Sequence, residues 1–157
     1  MESTTALGDW YGNLVRVGQR QFVLCTSDRS LLSVVFPARE VKRQMRPLLS
    51  HGLGLLLSDI GVPIEDAAAE LEQMRECRLG TTASRSVLAS MNDFMIGIDG
   101  ALRIDPGVSM QHLNVELSTT LCGPLGYGRP AQRARDLLEG QRRRPTTRCS
   151  GRGGASE

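Results

Sequence analysis

The chain has 157 residues, of which 40% are hydrophobic, 23% charged and 4% aromatic, with four Cys and a formal net charge of +2. That length predicts one domain of ordinary size, and the apolar fraction excludes a wholly disordered chain. The best apolar run, residues 53–57, is broken by Gly54 and far short of the roughly 18 residues that span a bilayer.

The start of the chain shows no basic stretch followed by an apolar one, so no secretory leader is expected and a soluble cytoplasmic protein is the default. Residues 1–9 are small and polar and are expected to fray. Leu14, Val15 and Val17, then residues 21–26, are two β-rich runs around Gly18 and Gln19, which predicts a hairpin. A third apolar run, residues 31–36, ends at Pro37 and completes an antiparallel meander. The second and third runs are almost continuously apolar, as strands covered by helices are.

After Pro37 the period becomes helical. Pro47 fits a first helical turn, and Leu48, Leu49, Leu53, Leu56, Leu57 and Ile60 follow at helical spacing up to Gly61. Gly52 and Gly54 weaken this helix by about 1 kcal/mol each relative to Ala. Pro63 opens a second helix with Glu65 and Asp66 in its first turn. Its expected apolar stripe is Ile64, Ala67, Ala68, Leu71 and Met74, with Glu70, Glu72 and Arg75 facing away. Residues 77–82 fit a fourth strand or an extended link.

Ser84 is the predicted N-cap of a third helix, whose Val87, Leu88, Met91, Phe94, Met95, Ile98 and Leu102 recur as a buried face does. Asp105, Pro106 and Gly107 form a turn. Residues 110–121 fit helix or strand, with Leu113, Leu117 and Leu121 favouring helix. A Gly-rich loop at 122–128 precedes a short amphipathic helix over 130–138. Strands first and helices later predict an α+β fold: a small antiparallel sheet of three or four strands against four or five helices.

The net charge divides unevenly. Residues 140–157 hold five Arg and one Glu, a net +4, which leaves −2 for residues 1–139. With four Gly and no large apolar residue there, a single α+β domain over 7–140 and a disordered Arg/Gly-rich tail over 141–157 are expected.

Several chemistries are excluded. The only lysine, Lys42, stands outside any Gly-Lys-Ser/Thr loop and among polar neighbours, which argues against a phosphate-cradling loop and a Schiff-base lysine. No Gly-x-Gly-x-x-Gly opens a helix. Cys25, Cys77, Cys122 and Cys149 are widely spaced, and His51 and His112 do not pair at helical spacing, so neither metal nor cofactor is expected.

Three constellations remain. Trp10 and Tyr11, with Asn13, place two of six aromatic rings side by side, as a stacking platform or as plugs at the edge of the core. On the third helix, Arg85 shares a face with Asn92 and Asp93, beside a polar row of Ser86, Ser90 and Asp93. That pattern suits a carboxylate or phosphate, and equally a capped helix with surface ion pairs. Cys122 in its Gly-Pro loop reads as a nucleophile with His51 or His112 as base, or as a small packing residue.

Together these segments resemble an uncharacterised bacterial family, a domain of unknown function. The similarity lies in Asp-Trp-Tyr-x-Asn-Leu at 9–14, Ser-Arg-Ser-Val-Leu-x-Ser-Met-Asn-Asp at 84–93 and Cys-Gly-Pro-Leu-Gly-Tyr at 122–127. It spans roughly residues 7–140. The resemblance implies a short extra strand before the Trp-Tyr segment in many relatives, so with the brief start here a first sheet edge that is incomplete or differently closed is expected. The resemblance implies no activity.

The expectation for function is therefore a non-catalytic protein- or ligand-binding domain with candidate residues Trp10, Tyr11, Asn13, Arg85, Ser86, Asn92 and Asp93. One alternative is weak, nonspecific nucleic-acid contact through the basic tail. Another is a small hydrolase or transferase around Arg85, Asn92 and Asp93. No catalytic set is complete, and no membrane association is expected.

Overall fold

Alternation and turn chemistry in the first third of the chain produce the sheet that everything else packs on. The structure, a computed structural model, describes residues 5–41, 44–76, 79–80, 84–126 and 128–143. Strands β1 (Trp10–Val17), β2 (Arg20–Ser27) and β3 (Ser33–Pro37) form the expected meander. Gly18, at φ +61°, makes the two-residue turn with Gln19 that pairs Val17 with Arg20.

Helices α1 (Met45–Asp59) and α2 (Ile64–Gln73) follow, then a two-residue strand β4 (Leu79–Gly80). The chain continues through α3 (Arg85–Ile104), α4 (Met110–Ser118) and α5 (Pro130–Arg143). The fold is α+β, with the sheet order β3-β2-β1-β4.

The expected all-antiparallel sheet is in fact mixed, because β4 lies parallel to β1, pairing Trp10 with Leu79 and Tyr11 with Gly80. Two helices separate β1–β3 from β4, so the chain has room to cross over and return in the same direction. This short strand closes the edge beside Trp10. The Tyr11 ring packs over this strand, 3.6 Å from where a Cβ on Gly80 would stand, which is ordinary van der Waals contact.

Helices cover both faces, which is why β2 reads as an unbroken apolar run. On one face Trp10, Val23, Cys25, Val34 and Phe36 meet the buried sides of α1, α2 and α5. On the other, Val15, Phe22, Leu24 and Val35 meet α3 and α4 through residues such as Met91, Phe94 and Leu113. Arg135 of α5 donates to the Ile60 carbonyl at 2.8 Å, closing the C-terminal end of α1. The last helix runs to Arg143, past the expected end near Leu138. Residues 141–143 of the expected tail over 141–157 belong to this helix; its remainder from 144 onward, and Lys42, Cys77, Tyr127 and Cys149, lie outside the described residues.

Gly52 has a packing role. A Cβ there would stand 2.5 Å from Val34 Cγ1, so α1 lies against β3 only because this residue has no side chain. Gly52→Ala gains about 1 kcal/mol of helix preference. It loses about 1–3 kcal/mol by forcing apart a stiff, buried valine and a helix backbone. A lower urea midpoint with unchanged slope is expected, and a raised midpoint would refute the packing argument.

Residues 5–9 were expected to fray; instead residues 5–8 are buried and tied down. The Ala6 and Leu7 amides donate to the two carboxylate oxygens of Glu70 at 3.0 and 3.2 Å. Arg29 donates to the Thr5 carbonyl at 3.1 Å, and Asp28 accepts from the Asp9 amide at 3.1 Å. Gly8 makes this bend with φ +86°. The expected stripe of α2 is correspondingly rotated: Glu70 and Asp66 face inward, while Ile64 is 78% exposed. The backbone amides of residues 6 and 7 need a buried acceptor, and Glu70 supplies it.

Candidate functional site

Strand geometry decides the fate of the Trp-Tyr pair. Successive strand residues point to opposite faces, so Trp10 and Tyr11 cannot form one platform. Trp10 is fully buried among the α1, α2 and α5 side chains, and its indole Nε1 has no hydrogen-bond partner among the described residues. Tyr11 lies half-buried on the opposite face, against the cluster containing α3 and Cys122. Asn13 shares that face and is also half-buried.

Helix α3 opens as expected, with Ser84 Oγ accepting from the Val87 amide at 3.3 Å and lying 3.2 Å from Ser86 Oγ. Its inward face is Val87, Met91, Phe94, Ile98 and Leu102. Arg85, Ser86, Asn92 and Asp93 are all exposed. Arg85 and Asp93 are eight residues apart, which turns them roughly 80° from each other around the axis. Arg85 lies with Asn92 and Ile96 on the outward row, and Ile96 is 71% exposed. Asp93 belongs to the flank with Ser86 and Ser90, close enough to Cys122 to act on its ionisation.

The Cys122 loop holds its shape through the Cys122 amide, which donates to the Gly128 carbonyl at 2.9 Å. Burial, and then the Asp93 charge, raise the Cys122 thiol above its ordinary value. A thiol held protonated is the reverse of what a nucleophile requires. His112 is engaged with Glu116 at 3.1 Å, and Cys25 is buried in the sheet with its thiol pushed up to about 12. Among the described residues no group of three His, Cys, Asp or Glu is placed to hold a metal ion, and no helix is long and apolar enough to cross a membrane.

A concavity the sequence gave no direct sign of opens at the sheet edge. Between β3, α1 and α4 lies a cleft of about 180 Å³. Its walls are mainly apolar: Val34 and Phe36 from β3, Leu48 and Leu55 from α1, and Met110 from α4. Glu40, His51, Gln111 and Asn114 supply its polar groups.

Asn114 is the organising residue. It is only 4% exposed, and its Oδ1 accepts from the outward-facing Val35 amide of the edge strand at 2.8 Å. That bond satisfies an edge N–H that would otherwise recruit another strand. It also fixes the amide orientation and leaves the NH2 group as a donor. The one signal in the sequence was Leu55, which falls outside the apolar stripe of its helix and is 40% exposed.

Residues 1–133 match the family model described as a domain of unknown function (DUF6933). The chain belongs to this family. The match begins at residue 1, in keeping with the buried and bonded segment before β1, and it stops within α5. No curated protein matches the sequence. In this DUF6933 member the three expected motifs take separate positions: Trp10 supports the core under α1, while Tyr11, the flank of α3 and the Cys122 loop gather on the opposite face.

Proposed function

We propose that the protein is a non-catalytic binding domain that takes a small, mainly apolar ligand into the cleft between β3, α1 and α4. The observation that carries this reading is Asn114: a buried carboxamide, pinned by the Val35 amide, at the wall of a mainly apolar cleft. Sites of this kind combine apolar walls with a few fixed polar groups that set orientation. The ligand this favours has an apolar body and one hydrogen-bond acceptor to meet the Asn114 NH2 group. A cleft of about 180 Å³ takes a single ring or a short branched chain rather than a drug-sized molecule.

The test is a titration of the full chain with cyclohexanone and with methylcyclohexane, followed by amide shifts in ¹H–¹⁵N spectra. Shifts at Val35, Leu55 and Asn114 are expected for both, with the ketone binding at least about fivefold more tightly through its acceptor. Leu55→Trp, at a half-exposed position that tolerates bulk, should fill the cleft and abolish them. Shifts that persist in Leu55→Trp, or none with either compound, would refute the reading.

A further inference from the structure

A second concavity has different chemistry. The β1–β2 turn, the start of β2 and the residues just after β3 border an open cavity of about 420 Å³. Two arginines, Arg20 and Arg39, and two glutamines, Gln19 and Gln21, are among the residues that line it. No acid lines it among the described residues; Glu40, the acid adjacent to Arg39, lines the apolar cleft instead.

Arg20 is held in place. Its guanidinium carbon stands 4.9 Å from the centre of the Phe22 ring, and its Nη1 donates to the Pro106 carbonyl at 2.9 Å. A cation anchored by a ring and a carbonyl has little freedom left to lose when a ligand arrives. Arg39 makes no hydrogen bond or ion pair with any described residue, so its planar donor set remains available. Two positive charges beside one concavity repel each other, and an anion between them removes that cost. The forked N–H groups of arginine match phosphate oxygens in pairs. A phosphate monoester carries close to two negative charges at neutral pH, matching the two cations, whereas a monocarboxylate balances only one.

We infer that this cavity binds the phosphoryl group of a small phosphorylated molecule, with Arg39 as the principal contact and Arg20 as the fixed second cation. The inference is independent of the apolar cleft, because it rests on different residues and different chemistry. It is tested on the full chain with inorganic phosphate and with glycerol 3-phosphate, against acetate at matched ionic strength. Saturable shifts of the Gln19, Gln21 and Ala38 amides are expected with both phosphates. Arg39→Gln, at an exposed position, should keep the melting temperature and weaken binding by about tenfold or more. If those amides do not move, or acetate moves them equally, the inference is overturned. It also fails if Arg39→Gln binds within about twofold of wild type, because the anion would then not rest on Arg39.

Discussion

Glu70→Ala should cost about 2–5 kcal/mol of unfolding free energy, because it leaves the buried Ala6 and Leu7 amides without acceptors. For a domain whose total stability is of order 5–15 kcal/mol, that loss is large. Glu70→Gln keeps the volume and one acceptor oxygen but turns an NH2 group towards the other amide, so a smaller loss is expected. Urea unfolding measures both. Hydrogen exchange at Ala6 and Leu7 in Glu70→Gln provides a second reading that does not depend on the alanine variant folding. A change within about 0.5 kcal/mol for Glu70→Ala would show that the N-terminal segment is not anchored there.

The same residue makes stability depend on pH. Burial lifts the Glu70 carboxyl above its ordinary value of 4.5, and the bonds from Leu7 and Ala6 and the Arg29 charge only partly offset it. Asp28 is raised in the same direction, first by burial and then by the Asp9 charge. A raised pKa means that the folded state binds the proton more tightly than the unfolded one. The contribution is therefore fully present below the unfolded value and is lost as pH rises through the folded one. On acidification from neutrality towards 4.5, wild type should gain stability relative to Glu70→Gln. A constant or shrinking difference between the two midpoints would contradict the assignment.

Trp10 carries the other large effect. Trp10→Ala removes a fully buried indole and should cost about 3–5 kcal/mol, through lost burial and the cavity left behind. Trp10→Phe should be much milder. It leaves a smaller void, but it also removes a buried Nε1–H that has no hydrogen-bond partner among the described residues, a group that when unpaired carries a penalty of about 1–3 kcal/mol. The informative measurement is the ratio of the two losses. Equal losses for Phe and Ala would mean that the indole N–H is satisfied in solution.

Much of the architecture was legible because it rests on local periodicity. The hairpin at Gly18, the Ser84 cap, the inward face of α3 and the break at Gly61 all follow from neighbours a few residues apart. The failures share a cause as well. Glu70 reads as a solvent-facing residue until a distant pair of amides claims it. Residues 5–9 look frayed until Asp28, Arg29 and Glu70 bond to them. The buried hydroxyls of Thr26, Ser27, Ser30 and Ser33 bond to one another and to the turn before β3, where Leu31 takes φ +61°, and no local pattern announces them.

The candidate sites divide in the same way. Residue type and spacing placed Arg85, Ser86, Asn92 and Asp93 on one helix, and that is where they lie. Whether neighbours in sequence share a face is a question of backbone geometry, and the strand sends Trp10 and Tyr11 to opposite sides of the sheet. The apolar cleft depends on Asn114 meeting Val35 across 79 positions of chain, and the arginine-lined cavity on residues before β2 and after β3 converging. By itself the sequence determined an α+β fold and the order of its elements, because composition and periodicity are local properties. Only the tertiary structure decided which polar groups are buried, which edge is capped and where concavities open, because those depend on contacts between residues far apart in the chain.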